Sequence, residues 1–352
     1  LEYPMWGSYQ LQINMRSISG TKKGHGVDSA YNDLVRLLER GGEFQVLKDT
    51  DSLTDILHLH TVDLKSLRLI RRFHKRGKGV VITCHMMEDS LDGSLSLPKF
   101  VVKYFGKYLY YFYRQGDRLV VVNPYYREEL ISKGLDPAKV SFIPNYADER
   151  LFFEVNEEKK AALRRELDLP LKAPVIVSSG QIQRRKGFDD FVACAQLNPD
   201  YLFVWVGGFS FGRLSDGYDT YRAIVADPPQ NMRFPGIVDR EVVAEYLQAS
   251  DLFFLASFQE LFPMSLLEAA KCGLPILLRD IPLYPGILFG HYYRATDVQS
   301  FSDWIRRICQ DEAARRKGIE DARRLASIYS ETAIYKQWKA LYEELRPGRT
   351  TV

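Results

Sequence analysis

The sequence predicts a two-lobed α/β protein, each lobe a parallel sheet covered by helices on both faces. Three observations carry that expectation. The chain has 352 residues, more than one domain of ordinary size holds. Short runs of Val, Ile, Leu and Phe alternate with amphipathic helical stretches, the pattern of strands buried on both faces and joined by crossover helices. The alternation then breaks once, near the middle. Before the break the strand candidates are Leu11–Met15, Phe44–Leu47, Ile56–Leu59, Val80–Cys84, Leu119–Val122 and Val140–Ile143. After it they are Val175–Ser178, Leu202–Val206, Met232–Phe234, Leu252–Leu255 and Ile276–Leu278. The break, ADERLFFEVNEEKKAALRRELDLPLKAP, is polar and ends in proline, which reads as a linker plus a short leading helix, with the boundary near Ala147–Glu157. Glu331–Leu345 places Ile334, Trp338, Leu341, Tyr342 and Leu345 at helical spacing, so a closing amphipathic helix docks on the body. The expected division is residues 10–150, 151–328 and a final segment 329–352. Open sheets of this kind bind ligands at the carboxyl ends of their strands, so two facing lobes enclose a cleft.

Composition narrows the function classes. At 46% hydrophobic and 26% charged residues, disordered and fibrous chains are excluded. No window offers the ~18 uninterrupted apolar residues of a spanning helix. The opening LEYPMWGSY has neither a basic n-region nor an apolar h-region; without an initiator Met, Leu1–Tyr9 is set aside as a candidate remnant of cloning. Cys84, Cys194, Cys272 and Cys309 are widely spaced with no CxxC pair, which argues against a zinc ribbon or disulfide framework and fits a reducing cytosol. The net charge of +3 names no partner, but residues 1–150 hold 22 Lys+Arg against 18 Asp+Glu, so the excess sits in the first lobe.

The most informative segment is FQELFPMSLLEAAKCG, Phe258–Gly273. Pro263 is suited to the first turn of a helix, which puts Glu260 in the preceding loop and Glu268 on the helix. The amides of Phe262, Met264 and Ser265 then lie at the positive end of the helix dipole, an anion site flanked by two carboxylates that accept hydrogen bonds from hydroxyls. A solvated acidic pair at a helix start is the plain alternative. A second segment, SSGQIQRRKGFDDFV (Ser178–Val192), reads as strand, glycine turn and helix. Gly180 and Gly187 allow a tight loop, and Arg184, Arg185 and Lys186 could neutralise a departing diphosphate, although an exposed basic turn has the same appearance. A third, GTKKGHGVDSAYNDLVRLL (Gly20–Leu38), places Gly24 and Gly26 after the first strand. A fourth is His85, just past the strand ending at Cys84.

Taken in order, these segments resemble the family 4 glycosyltransferases. The spacing of Glu260 and Glu268 is that family's EX7E motif, and the glycine loop, the histidine, the IPN turn at Ile143–Asn145, the GQ…KG loop and F-x-G follow its order over residues 10–345. The resemblance implies a GT-B fold, two Rossmann-like domains facing a central cleft, with the C-terminal helix returning to the N-domain. It implies a UDP-sugar donor, retention of anomeric configuration, no essential metal and no further cofactor. By the same resemblance Glu260 contacts the transferred sugar, Glu268 the ribose, Lys186 the diphosphate, and His85 faces the reacting sugar. Gly24 and Gly26 approach the phosphates, Gly180 is a further donor-binding residue, Phe262, Pro263 and Met264 open the anion-binding helix, Gly236, Ile237 and Val238 hold the uracil through backbone, and Gly207, Gly208 and Phe209–Asp216 line the pocket. This chain departs from the family at Gln181, where an arginine is usual, so that role passes to Arg184 or is dropped.

Two further signals are set aside. Asp49-Thr50-Asp51 spells a metal motif of the other glycosyltransferase architecture, and His58 and His60, expected on opposite or offset strand faces, lack a third zinc ligand.

Two stretches point to a lipid surface. KSLRLIRRFHKRGK (Lys65–Lys78) holds seven basic residues and no acid, with Leu67, Ile70 and Phe73 as an apolar stripe. LPKFVVKYFGKYLYYFYR (Leu97–Arg114) sets Lys99, Lys103 and Lys107 among aromatics. Basic amphipathic helices of this kind lie on anionic lipid, with Lys65, Arg68, Arg71, Arg72, Lys75, Arg76, Lys99, Lys103 and Lys107 as the contacts. Ordinary core packing with basic residues outside is the alternative, and no RNA-binding signature accompanies the charge. Together with GHGVDSAYNDLVRLL, VNPYY, GGFSFGRLSDGYD and DPPQNMRFPGIV, these features look like the Gram-positive subgroup that makes diglycosyl-diacylglycerols. That likeness implies transfer of galactose or glucose to membrane α-monoglucosyl-diacylglycerol through an α-(1→2) linkage, by a cytoplasmic protein bound peripherally to the inner face of the membrane, with no obligate protein partner. A transferase acting on a capsule or cell-wall acceptor, a UDP-sugar 2-epimerase and a noncatalytic scaffold are the rivals.

Overall fold

The computed structural model describes residues 10–17, 26–86, 99–210, 212 and 217–346. Its strands are β1 (Leu11–Arg16), β2 (Phe44–Lys48), β3 (Ile56–Leu59), β4 (Gly79–Thr83), β5 (Arg118–Val121), β6 (Val140–Phe142), β7 (Val175–Ser179), β8 (Leu202–Val206), β9 (Met232–Gly236), β10 (Leu252–Leu255), β11 (Ile276–Arg279) and β12 (Tyr293–Ala295). The helices are α1 (Gly26–Gly41), α2 (Leu64–His74), α3 (Lys99–Tyr113), α4 (Pro124–Ser132), α5 (Glu157–Glu166), α6 (Phe188–Leu197), α7 (Tyr218–Ala226), α8 (Arg240–Ala249), α9 (Met264–Lys271), α10 (Tyr284–Leu288), α11 (Val298–Gln310), α12 (Glu312–Ile328) and α13 (Glu331–Glu344). All eleven strands expected from the sequence are present. The twelfth, β12, has only three residues and an exposed arginine at its centre, so it carries no run of apolar residues to announce it.

The strands form two six-stranded parallel sheets, ordered β2-β1-β3-β4-β5-β6 and β12-β11-β10-β7-β8-β9. Each is doubly wound, two Rossmann-like units. The strand order reverses between β1 and β3 in the first sheet and between β7 and β10 in the second. Loops leaving the carboxyl ends of neighbouring strands diverge at such a reversal and open a crevice. Right-handed crossovers place α2, α3 and α4 on one face of the first sheet and α1 on the other. The buried residues obey that division: Leu67, Ile70, Phe73, Leu109 and Phe112 share one core with the outer face of the sheet, whereas Tyr31, Leu34 and Leu38 of α1 belong to a core that continues into α8 and α9.

Three expectations need correction. Pro263 is the N-cap of α9, with extended backbone (φ −69°, ψ 121°), and not a residue of its first turn. The apolar stripe of α2 is not free to meet lipid, because Leu67, Ile70 and Phe73 are spent on the core. His58 and His60 share a face: residues two apart on a strand point the same way, and their rings lie 4.3 Å apart between centroids.

The chain's last helix completes the first lobe. Trp338 and Tyr342 of α13 stack on each other and pack against His58, Trp338 tilted and Tyr342 edge-on; His58 Nδ1 lies 2.8 Å from the Tyr342 hydroxyl and its Nε2 2.7 Å from Thr83 Oγ1. Full burial holds the His58 imidazole neutral, its pKa lowered to about 3. Removing the hydroxyl by Tyr342→Phe strands one imidazole nitrogen in the core; the expected loss is about 1–3 kcal/mol, read from the urea unfolding midpoint.

Candidate active site between the two sheets

The second sheet's reversal brings two loops together. The loop after β7 turns at Gly180 (φ 141°), whose carbonyl receives the Trp205 indole N–H at 3.0 Å. A Cβ on Gly207 would sit 1.9 Å from that same oxygen, so only glycine lets the ends of β7 and β8 approach this closely. The loop continues into a 3₁₀ turn, Arg184–Lys186, closed by Gly187 in the left-handed region (φ 72°). A Cβ there would meet the Ala256 carbonyl oxygen at 2.2 Å. The conformation and the close approach both demand glycine.

That approach presses the turn against the loop leaving β10. The Arg185 carbonyl accepts from the Phe258 amide at 2.8 Å and from the Ser257 hydroxyl at 3.1 Å. Arg279, buried at the end of β11, braces the loop from behind. It donates to the Ala256 and Thr296 carbonyls, pairs with Asp190, and lies 3.9 Å from the centre of the Phe258 ring. The result is a fixed juxtaposition: Lys186 Nζ lies 2.5 Å from Glu260 Oε1, both side chains largely buried. Burial lowers the Lys186 pKa, opposed by the Glu260 carboxylate.

Glu268 lies one turn into α9, buried, with Oε1 2.7 Å from Arg240 Nη2. The same guanidinium grips Asp33 of α1 with both terminal nitrogens, at 2.5 and 3.0 Å. Burial pushes the Asp33 carboxyl up to about 6 although Arg240 pulls it down. Neither carboxylate of the EX7E pair is therefore a solvated charge at a helix start; each is matched to one cation. The remaining expected donor residues line the same carboxyl edge. Gly236 ends β9 with φ 82°, the following Ile237 is 43% exposed, and a Cβ on Gly208 would touch the Ile237 side chain at 3.1 Å. Phe262 turns its ring away from the cleft onto Tyr329, and Met264 is buried, so what they and Pro263 offer a ligand is backbone at the mouth of α9. Arg184 is exposed at the start of the 3₁₀ turn, and Gln181 is bonded to Gln183 at 2.8 Å. Val238 is partly buried beside the core shared with α8.

The first sheet's reversal contributes the opposite wall. Gly26 opens α1; Gly24, His25, part of Phe209–Asp216 and the stretch from 87 to 98 lie outside the described residues, as do Leu1–Tyr9. His85 follows β4 and its Nε2 lies 3.0 Å from His60 Nδ1. Burial lowers both, His85 to about 4, so the pair is neutral. With Asn145 and Trp338 these rings line a cavity of about 20 Å³, room for one ordered water. Asp49 and Asp51 are engaged elsewhere: Asp49 accepts from the Ser17 amide and Asp51 pairs with Arg16, tying β2 to β1.

Sequence reasoning missed four residues around the site, two of them without any usable signal. Arg240 is an ordinary cation after a turn, and Tyr284, buried beside Glu260 with no hydroxyl partner among the described residues, looks like any core aromatic. Asp33 did leave a trace, an acid inside the apolar stripe of α1, and His60 was hidden by the wrong strand face.

The Lys186–Glu260 contact is open to a direct test. Lys186→Met leaves Glu260 buried and uncompensated, with an expected stability loss of about 3–5 kcal/mol, whereas Lys186→Met with Glu260→Gln should recover most of it in thermal melts.

Comparison with known proteins places the chain. Residues 43–150 match the family described as Glycosyltransferase Family 4, and residues 159–325 match Glycosyl transferases group 1. The chain is 38% identical to the alpha-galactosylglucosyldiacylglycerol synthase of Streptococcus pneumoniae, over 95% of this chain and 90% of that protein. It is 26% identical to the processive diacylglycerol alpha-glucosyltransferase of Acholeplasma laidlawii, over 92% and 95% of the two chains. Among solved structures, sucrose-phosphate synthase from Thermosynechococcus elongatus superposes with a TM-score of 0.77 at 18% identity, covering 96% of this chain and 99% of that one. Anabaena Alr3699/HepE in complex with UDP-glucose gives 0.74 at 16%, covering 96% and 100%. The sheets, the clasped loops and these likenesses agree: the chain is a GT-B glycosyltransferase and belongs to family 4.

Proposed function

We propose that this enzyme moves galactose or glucose from a UDP-sugar to α-monoglucosyl-diacylglycerol, forming an α-(1→2) diglycosyl-diacylglycerol with retention at the anomeric carbon. The likeness to the pneumococcal synthase along nearly the whole chain carries the reading. The site supplies the parts that chemistry needs. The diphosphate takes the mouth of α9 and the Lys186 ammonium, with Arg184 near; Glu260, relieved of Lys186, accepts from the hydroxyls of the transferred sugar; Glu268 accepts from the ribose. The bond from C1 to the β-phosphate oxygen breaks while the acceptor oxygen bonds C1 on the same face, and the acceptor's proton passes to the departing phosphate oxygen. Fixed cationic and dipolar groups stabilise that oxygen as charge develops. His85 is neutral and faces the reacting sugar as a hydrogen-bonding group. The reaction as written uses no metal and no cofactor.

The lipid acceptor implies a peripheral seat on the inner face of the cytoplasmic membrane. No helix among the described residues is long and apolar enough to cross one. The support for a docking face lies at the amino ends of α2 and α3, on one face of the first sheet and at the cleft edge. Leu64 is 71% exposed and Tyr104 69%, beside the exposed Lys65, Lys103 and Lys107, and burial, with the Asp63 carboxylate added, raises the Tyr108 phenol. Arg68, Arg71, Arg72, Lys75 and Arg76 continue the exposed basic face along and beyond α2. The side chain of Lys99 lies outside the described residues. At about 1 kcal/mol per cation near anionic lipid, a few such residues suffice for reversible docking.

Incubation with each UDP-hexose and monoglucosyl-diacylglycerol in mixed micelles should give a disaccharide lipid whose linkage NMR reads as α-(1→2). Transfer only to a soluble acceptor, or epimerised nucleotide without acceptor, would overturn the reading. Reversing Lys65, Lys103 and Lys107 together to glutamate should abolish co-sedimentation with phosphatidylglycerol vesicles; unchanged binding would remove this face from the lipid contact.

A further inference from the structure

We infer that Arg240 is a positioning residue that makes donor binding depend on the approach of the two lobes. It acts through Glu268, and the inference rests on the reading of Glu268 as the carboxylate for the donor's ribose. Arg240 opens α8, directly after the turn that ends β9, so it belongs to the second lobe. Its terminal nitrogens hold Asp33 of the first lobe at 2.5 and 3.0 Å, and one of them also holds Glu268 Oε1 at 2.7 Å. The side chains of Asp33 and Glu268 are 1% and 7% exposed. A single guanidinium thus serves two buried carboxylates, one from each side of the cleft.

Consider the lobes apart. Asp33 is then solvated, and Arg240 is left to Glu268 alone, free to cover both carboxylate oxygens. With the lobes together, Asp33 takes the fork of the guanidinium face-on and leaves one N–H for Glu268 Oε1. Glu268 then keeps Oε2 for a hydroxyl, and Arg240 holds the carboxylate in place for it. Ribose binding and lobe approach therefore favour each other, and linkage makes the coupling reciprocal. A lysine cannot substitute, because a point charge does not engage one carboxylate with two nitrogens while holding a second.

The first-lobe side of the contact is rigid. Asp33 lies on α1, two turns from its start at Gly26, and the Tyr146 hydroxyl donates to the Asp33 carbonyl. Further along α1, Arg40 pairs with Asp148 of the linker at 3.1 Å and with Glu331 of α13 at 3.0 Å. The whole helix is fastened to the segment joining the lobes, so the Asp33–Arg240 contact registers their relative position.

The test is a four-way cycle on the full chain: wild type, Asp33→Asn, Arg240→Lys and the double variant, titrated with UDP by calorimetry and measured by small-angle scattering with and without UDP. The expected results are a UDP-dependent compaction in the wild type only, and UDP affinity about tenfold weaker in Arg240→Lys. Asp33→Asn should weaken UDP binding when Arg240 is present and have no effect in the Arg240→Lys background. Effects that simply multiply, or compaction that survives Arg240→Lys, would overturn the inference. If Arg240→Lys does not fold, the same cycle with Arg240→Gln applies, where the Asp33→Asn partner removes the stranded acid. Glu268→Ala is the control for the underlying reading: UDP affinity unchanged in that variant defeats the role of Glu268 itself, whereas UDP binding lost there with an additive cycle defeats only the coupling.

Discussion

The site depends on one steric fact, the contact between the Gly187 backbone and the Ala256 carbonyl. Because no side chain intervenes, the loops leaving β7 and β10 press together closely enough to share hydrogen bonds, and Lys186 and Glu260 are left facing each other in a largely buried space. Neither charge would be tolerable there alone. The pair keeps that space close to neutral, because each charge is matched by the other. Arg279 keeps the arrangement from relaxing, since it holds the β10 loop by the Ala256 carbonyl and the Phe258 ring face and ties it to the Thr296 carbonyl after β12.

The two sheets make complementary contributions through the same topological device. Each reverses its strand order once, and each reversal delivers the groups that matter: the glycine turn and acidic loop from the second sheet, His60, His85 and the start of α1 from the first. The lobes touch at more than one place. Besides Asp33 and Arg240, the Asn123 side-chain amide donates to the Leu261 carbonyl at 2.5 Å, so the residue following Glu260 is held by the first lobe. The acidic loop is thereby fixed from both sides of the cleft.

Most of the fold was legible because parallel sheets buried on both faces write their strands as unbroken apolar runs. The short edge strand β12, with Arg294 exposed at its centre, escaped for the converse reason. The candidate site was legible where local spacing constrains geometry, as in the Lys186 and Glu260 that the structure brings together and the glycines that let their loops approach. It was not legible where one residue acquires its role from another far away in the chain. Arg240 is separated from Asp33 by 207 positions, and nothing local to either announces the other. The stripe Leu67, Ile70, Phe73 shows a different limit: a basic amphipathic pattern specifies an apolar side but does not say whether a sheet or a membrane lies against it, and here a sheet does.

The closing helix carries a consequence for biogenesis. Trp338 and Tyr342 fill the amino-terminal lobe's interior against His58, a residue 284 positions earlier. Domains emerging from a ribosome ordinarily consolidate in the order they are made. This one cannot complete its first lobe in that order: two large aromatic groups of that lobe's interior arrive only with α13, which is made after every strand of the second sheet.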